Sequence, residues 1–244
     1  MKKWKTNIST RKNGELFIRG VRHLDLVKDL DFIASLFLLW RGTLPKGNEK
    51  IMFEAILVSA IEHGIDVPSS VAARTAISTG NPMNAVLASG VLAMGTRHGG
   101  AIEGVALLLQ SDESPDEIVR RITYSKEKIP GFGHRLYKEK DPRAEALFEH
   151  ARTLGFSGPF AKKARDIEAA FERASGKHLP INIDGAMAAL LLELGFDPRL
   201  AWGIFIFARI AGLLAHAREE LDETGVYRHL DEEDIEYTGI APKI

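Results

Sequence analysis

Asp31-Phe32-Ile33-Ala34-Ser35-Leu36-Phe37-Leu38-Leu39-Trp40-Arg41-Gly42-Thr43-Leu44-Pro45 is where this chain changes character. The apolar run ends at Arg41-Gly42, with Pro45 close behind. Cation, glycine and proline in that order form a helix-stop signature. Upstream, residues 4–9 and 15–19 read as extended and flank Thr10-Arg11-Lys12-Asn13-Gly14, whose Asn-Gly pair is a strong turn signal. A β-hairpin over about 4–19 is expected there. Downstream, helical spacing dominates. Residues 49–62 carry apolar positions on one face, Pro68-Ser69-Ser70 opens a helix to about 78, and Asn81-Pro82 opens another toward Gly95. Ala85, Ala88, Ser89, Gly90 and Ala93 recur along that helix and permit close helix–helix approach, including across a subunit boundary. Capped starts follow at Ser114-Pro115 and Asp141-Pro142, and strong helices are expected over 185–194 and 198 to about 221. The fold class is all-α behind a short β-hairpin. Residues 1–244 are read as a single compact unit, with a helical body over about 25–244 and a small mobile lobe over about 112–182.

The composition narrows the function. The 244 residues include 45% apolar side chains, enough for a substantial core, and no cysteine. Without cysteine there are no disulfides, thiolate nucleophiles or Cys-bound zinc, and a cytoplasmic home is the simplest expectation. The start, Met-Lys-Lys-Trp-Lys-Thr, has no apolar stretch behind its basic residues, so no secretory signal is expected. Arg41, Glu193 and Arg209 interrupt the apolar runs that come nearest to a membrane span. With a net charge of −1 and no basic tract, nucleic acid is a poor partner. An anionic ligand would have to be met by a few local arginines and histidines.

Three short stretches each place one ionisable residue among glycines or at a helix start: Arg97-His98-Gly99-Gly100-Ala101, Pro130-Gly131-Phe132-Gly133-His134-Arg135 and Pro180-Ile181-Asn182-Ile183-Asp184-Gly185. Two imidazoles and a carboxylate can make or break a carbon–carbon bond next to a thioester. Each residue also has a structural reading. Asp184 precedes a helix and could be its N-cap, which would lower its pKa, or a base at carbon, which needs an apolar site that raises it. His98 could be a helix-end imidazolium before a C-terminal glycine, or a side chain at a helix junction that reaches a ligand. His134 lies in no helical or strand pattern, and its glycines let backbone approach a ligand while Arg135 and Lys138 add cations. Arg143 opposes the macrodipole at a helix start, and Arg209 sits in an apolar helix where a buried arginine needs a protein or ligand carboxylate. His63 stands at a helix end. No zinc, serine-elbow, Walker A or dinucleotide motif is present.

Taken together these segments resemble the citrate synthase superfamily over most of the chain. The segments 16–20 and 38–45, Glu62-His63-Gly64 through Ala72-Ala73-Arg74, the three stretches above, Asp141-Pro142-Arg143, and Ala208-Arg209-Ile210-Ala211-Gly212 through His216 occur in the family's order. Only one helix separates Pro45 from His63, where ordinary citrate synthases carry a long insert. This compact form is similar to the short citryl-CoA lyases and to the lyase module of ATP citrate lyases. The resemblance implies cleavage of (3S)-citryl-CoA to acetyl-CoA and oxaloacetate by an acid–base retro-Claisen step. The alternatives are citrate synthase, 2-methylcitrate chemistry, or a non-catalytic CoA-binding protein of the same fold. It implies that Asp184 handles the proton on carbon, His98 the thioester oxygen and His134 the hydroxyl or ketone oxygen. His63, Arg143 and Arg209 would hold carboxylates, joined by Arg228 reaching from a neighbouring subunit of a homodimer or higher homo-oligomer. Gly131, Gly133, Arg135, Lys138, Lys177 and Asn182 would meet coenzyme A, which arrives as part of the substrate. No permanently bound cofactor and no metal is implied.

Overall fold

A computed structural model describes residues 3–125, 127–223, 225 and 227–240. Strands β1 (Ser9–Lys12) and β2 (Glu15–Ile18) pair antiparallel with Lys12 opposite Glu15, so Asn13 and Gly14 alone make the turn. Both have positive φ, 52° and 80°, as a two-residue hairpin turn of this hand requires. The hairpin is extended by a third strand, β3 (Val21–Arg22), across a second turn at Arg19-Gly20 with φ 50° and 82°. The expected hairpin is therefore a three-stranded sheet. A two-residue strand is too short to carry alternation, and only the Arg-Gly turn signalled it.

Eleven α-helices follow among the described residues. Helices α1 (His23–Asp29) and α2 (Phe32–Arg41) come first. Asp31 Oδ1 accepts from Ala34 N at 2.9 Å, and Gly42, at φ 86°, donates its N–H to Leu38 O at 2.9 Å. Then come α3 (Glu49–Ala60), α4 (Pro68–Ser78), α5 (Met83–Leu92), α6 (Ala101–Gln110) and α7 (Pro115–Ser125). The last four are α8 (Pro142–Thr153), α9 (Pro159–Ser175), α10 (Ile183–Glu193) and α11 (Ala201–Asp222). α5 stops short of Gly95, and α9 was not anticipated although Pro159 and Gly176 bracket it.

α10 organises the core. Its residues from Gly185 to Leu192 are all buried, and it packs against α3, α6, α8 and α9. A helix apolar on every side has no solvent face and must be central. Its N-terminus, carrying Asp184, therefore opens inside the molecule. The helical stretch Pro198–Asp222 is long and apolar enough to cross a bilayer by length and composition, with a mean hydropathy of 1.7 over an 18-residue window. Here it packs against α3, α4, α5 and α6 and buries Arg209 and Glu220, as a core helix does.

Candidate active site

The residues that carry chemistry come from helix ends, turns and the middle of α11, gathered around the start of α10. Asn182 caps that helix. Its Oδ1 accepts from Asp184 N (3.0 Å) and Gly185 N (3.2 Å), while its Nδ2 donates to Gly133 O (2.9 Å). The capping reading of Asp184 is thereby displaced onto Asn182, and the Asp184 carboxylate stays uncapped. Asn182, expected to meet coenzyme A, spends its polar atoms within the protein.

The His134 loop is strapped to the same place. Gly133 N donates to Pro180 O at 2.7 Å and Asn182 N to Gly131 O at 3.0 Å. Gly131 and Gly133 both take φ 78°. A side chain on Gly131 would run into Val105, and one on Gly133 into Leu179. Protein packing and a left-handed backbone by themselves require glycine at both positions.

Asp141 ties α8 to α10. It is fully buried, receives Ile183 N at 3.2 Å, and pairs with Arg143 through Nε (3.0 Å) and Nη2 (2.8 Å). Burial alone would raise the Asp141 pKa, but the Arg143 hydrogen bonds hold it below the usual range. This pair aims Arg143 so that Nη1 lies 2.9 Å from His63 Nδ1 and Nη2 lies 3.3 Å from His134 Nε2.

His134 is surrounded by donors. Its Nδ1 accepts from Leu136 N (3.1 Å) and Tyr137 N (3.3 Å), with Arg143 on the other nitrogen. An imidazolium would set N–H against N–H on both sides, so the ring is held neutral with one bare nitrogen. Burial, then the Arg143 charge, lowers its pKa. His98 is part-buried, with Nε2 2.8 Å from the hydroxyl of the fully buried Ser69. Its pKa is lowered by burial and by Arg209, so the imidazolium reading gives way to a neutral ring. It also follows a turn rather than ending α5. Arg209 is 3% exposed. Its Nε donates to Ala60 O at 2.8 Å, its guanidinium lies 5.0 Å over the Phe205 ring, and its Nη1 is buried without a partner among the described residues. An orphaned cationic donor of this kind is matched to a ligand anion.

These side chains share one cavity of about 210 Å³, lined by His63, Arg97, His98, His134, Arg143, Asn182, Asp184 and Arg209, with Phe205 as an apolar wall. Asp184 faces the cavity and is otherwise enclosed. Burial pushes its carboxyl up to about 6, against the opposing pull of Arg143 and Arg209. A larger hollow of about 610 Å³ beside α8 and α9 shows no such convergence. Its cations Arg152, Lys162 and Arg165 pair with Glu149, Asp166 and Glu145.

Gly131, Gly133, Arg135, Lys138, Lys177 and Arg228 do not line the catalytic cavity. Arg228, expected to reach a neighbouring subunit, is held by Glu220 (2.8 Å) and Glu223 (2.6 Å) of its own chain, which also bind Arg74. Sequence reasoning missed Arg97, Ser69 and Phe205 as wall or support residues. Arg97 stood inside a quoted motif, whereas the other two carried no local signal.

A profile of the citrate synthase C-terminal domain matches residues 48–229. The chain belongs to this family. Among family relatives, citrate synthase 2 of Bacillus subtilis (strain 168) is 30% identical over 215 residues, which cover 86% of this chain and 58% of the relative. The chain thus spans about three fifths of that citrate synthase. The citryl-CoA lyase from Hydrogenobacter thermophilus is similar over its whole length, with a TM-score of 0.93, 46% identity, and coverage of 100% of this chain and 97% of that one. The ATP citrate lyase from Methanothrix soehngenii, seen with citrate and coenzyme A, shares the fold at a TM-score of 0.87 and 23% identity. That match covers 99% of this chain and 42% of the larger protein.

Proposed function

We propose that this chain is a citryl-CoA lyase, cleaving (3S)-citryl-CoA to acetyl-CoA and oxaloacetate. The observation that carries the reading is the convergence of three imidazoles whose pKa values are lowered, one enclosed carboxyl with its pKa near 6, and three arginines on one small cavity. His134 takes the proton of the citryl hydroxyl at Nε2; because Nδ1 accepts from Leu136 N and Tyr137 N in the unliganded protein, this step requires the substrate to displace Arg143 (3.3 Å) and the ring to move its single hydrogen from Nε2 to Nδ1. The O–H electron pair becomes the second bond of the ketone, and the C–C pair moves into the acetyl unit as an enolate. His98 donates a hydrogen bond to the thioester oxygen as charge collects there, and Ser69 fixes its ring. Asp184 delivers a proton to the new methyl carbon. His63, Arg143 and Arg209 hold the carboxylates and fix orientation.

Coenzyme A enters as part of the substrate. Arg135, Lys138 and Lys177 are exposed, and the hydrogen bond from His178 Nε2 to Glu139 O (2.8 Å) draws their segments together, so they are the cations for its phosphates. Residues 112–182 form the small lobe that closes on substrate, and the protein works as a homodimer or higher homo-oligomer in the cytoplasm. Lyase is preferred to synthase because the likeness to a citryl-CoA lyase, 46% identical at a TM-score of 0.93, exceeds the 30% identity to citrate synthase 2 of Bacillus subtilis. The test is the fate of citryl-CoA. The expected products are oxaloacetate and acetyl-CoA, and release of citrate with free CoA would overturn the lyase reading in favour of thioester hydrolysis. Propionyl and acetyl substrates compared in the reverse direction decide against or for 2-methylcitrate chemistry.

A further inference from the structure

Arg97 has no work in the fold. It lies at the tip of a two-residue turn, closed by His98 N to Gly95 O (2.9 Å) and Gly95 N to His98 O (3.0 Å). Neither Thr96 nor Arg97 takes a positive φ, so the turn accepts most residues and asks nothing of the Arg97 side chain. The turn is rigidly placed. Gly100 N also binds Gly95 O (3.0 Å), and Gly99, at φ 80°, sits where a Cβ would strike the Phe205 ring. The Arg97 side chain is exposed, makes no ion pair or hydrogen bond among the described residues, and yet lines the catalytic cavity.

Charge bookkeeping in that cavity points to what it meets. Arg143 is already neutralised by the buried Asp141. Arg228, the other cation expected for carboxylates, is engaged by Glu220 and Glu223. Arg209 is then the one uncompensated arginine on the wall besides Arg97. The citryl part of the substrate, like oxaloacetate, carries two carboxylates. With Arg97 included, two unpaired arginines meet two carboxylates, and Arg143 adds hydrogen bonds but no net charge; without it, one carboxylate would enter the enclosed site with its charge uncompensated. The phosphates of coenzyme A are separated from the thioester by the whole pantetheine arm. A cation beside His98 on the wall of a cavity of about 210 Å³ is therefore placed for the dicarboxylate end, not the nucleotide end.

We propose that Arg97 is a substrate-binding residue that docks one carboxylate of the C4-dicarboxylate unit, as the second unpaired cation of the site beside Arg209. This rests on the lyase reading given above. The test uses the full chain and titrates oxaloacetate and coenzyme A separately by calorimetry into wild type, Arg97→Gln and Arg97→Lys, with citryl-CoA cleavage measured alongside. A charge-assisted contact of this kind predicts roughly 10–100-fold weaker oxaloacetate binding in Arg97→Gln. Substantial recovery is expected in Arg97→Lys, coenzyme A affinity should be unchanged, and the citryl-CoA KM should rise more than kcat falls. Unchanged oxaloacetate affinity in Arg97→Gln, or a loss that falls on coenzyme A instead, overturns the assignment while leaving the lyase reading intact. Wild type that neither binds oxaloacetate nor cleaves citryl-CoA overturns both.

Discussion

Asp184 owes its chemistry to its neighbour. Asn182 satisfies the first amides of α10, so the carboxylate two residues on is not drawn into capping and faces the cavity. Its pKa, pushed up to about 6 by burial, means the folded protein holds that proton more tightly than the unfolded chain does. This contribution to stability is fully present below the ordinary carboxylate range near pH 4 and is lost as pH rises through 6. Asp184→Asn, which cannot ionise, is expected to raise the melting temperature of the unliganded protein at pH 8 and to change it little at pH 4. The gain is at most about 3 kcal/mol, from a shift of about two pKa units. The same variant is expected to lose roughly 10²–10⁴-fold in turnover. Equal stability at both pH values would show that the carboxylate is not desolvated. Cleavage needs Asp184 protonated and His134 neutral, so kcat/KM is expected to fall above about pH 6 and also at low pH as His134 gains its proton. Condensation in reverse needs the proton on His134 instead, which is the same total charge. Because the reaction takes up no net proton, both directions must share one pH dependence, and a cleavage profile that stays flat above pH 6 would refute Asp184 as the acid.

At the scale of elements, the decisive contact is between a loop and a helix end. The backbone at Gly131–Gly133 runs beside residues 180–182 and comes so close to α10 that a Cβ on Gly185 would collide with the Gly131 carbonyl oxygen. Backbone cannot yield as a flexible side chain can. Gly185→Ala is therefore expected to cost about 1–3 kcal/mol in a denaturant titration. Because that loop carries His134, the variant should also lower kcat. A fully stable Gly185→Ala protein with normal turnover would contradict the strap as the device that sets the distance between His134 and Asp184. The buried Asp141–Arg143 pair does the parallel job for α8, holding the guanidinium between His63 and His134. Removing one member of such a pair leaves an uncompensated buried charge, which is why both ends are needed to shape the site.

At the scale of the whole molecule, large apolar side chains remain exposed together on α4, α5, α11 and the C-terminal segment. Leu92 is 83% exposed, Leu230 68%, Leu221 56% and Val71 50%. Apolar surface gathered on neighbouring helices is the kind that a second copy covers. In a homodimer, Arg228 would have to exchange its partners Glu220 and Glu223 for the neighbouring cavity. Sedimentation should give a dimer or larger, and because Glu220 and Glu223 hold Arg228 in its own chain, mixing inactive Asp184→Asn subunits with Arg228→Ala subunits should add no activity beyond that of Arg228→Ala alone. Recovery toward about one quarter of wild type, the yield of hybrids with one intact site, would show instead that Arg228 completes the neighbouring cavity.

What the sequence by itself determined was local. Proline, glycine and capping residues marked most helix ends within a turn, because a cap is decided by the few residues around it. The residue types of the site, His98, His134, Asp184, Arg143, Arg209 and His63, were legible because each stood among glycines, at a helix end or as a lone charge in an apolar run. α9 escaped because its buried face, Ala161, Ala164, Ile167 and Ala170, is mostly alanine and carries a weak apolar signal, and β3 because it is two residues long. The tertiary structure alone decided the rest. It chose Asn182 over Asp184 as the cap, raised one carboxyl while holding Asp141 low, tied Arg228 to its own glutamates, and set Arg97 on the cavity wall. The cap and the Asp141–Arg143 and Arg228–Glu220 pairs join residues close in sequence, but the burial around them and their further partners Gly133, Ile183 and Arg74 come from distant parts of the chain. Desolvation and charge pairing act through space, and no pattern along the chain encodes the distance between them.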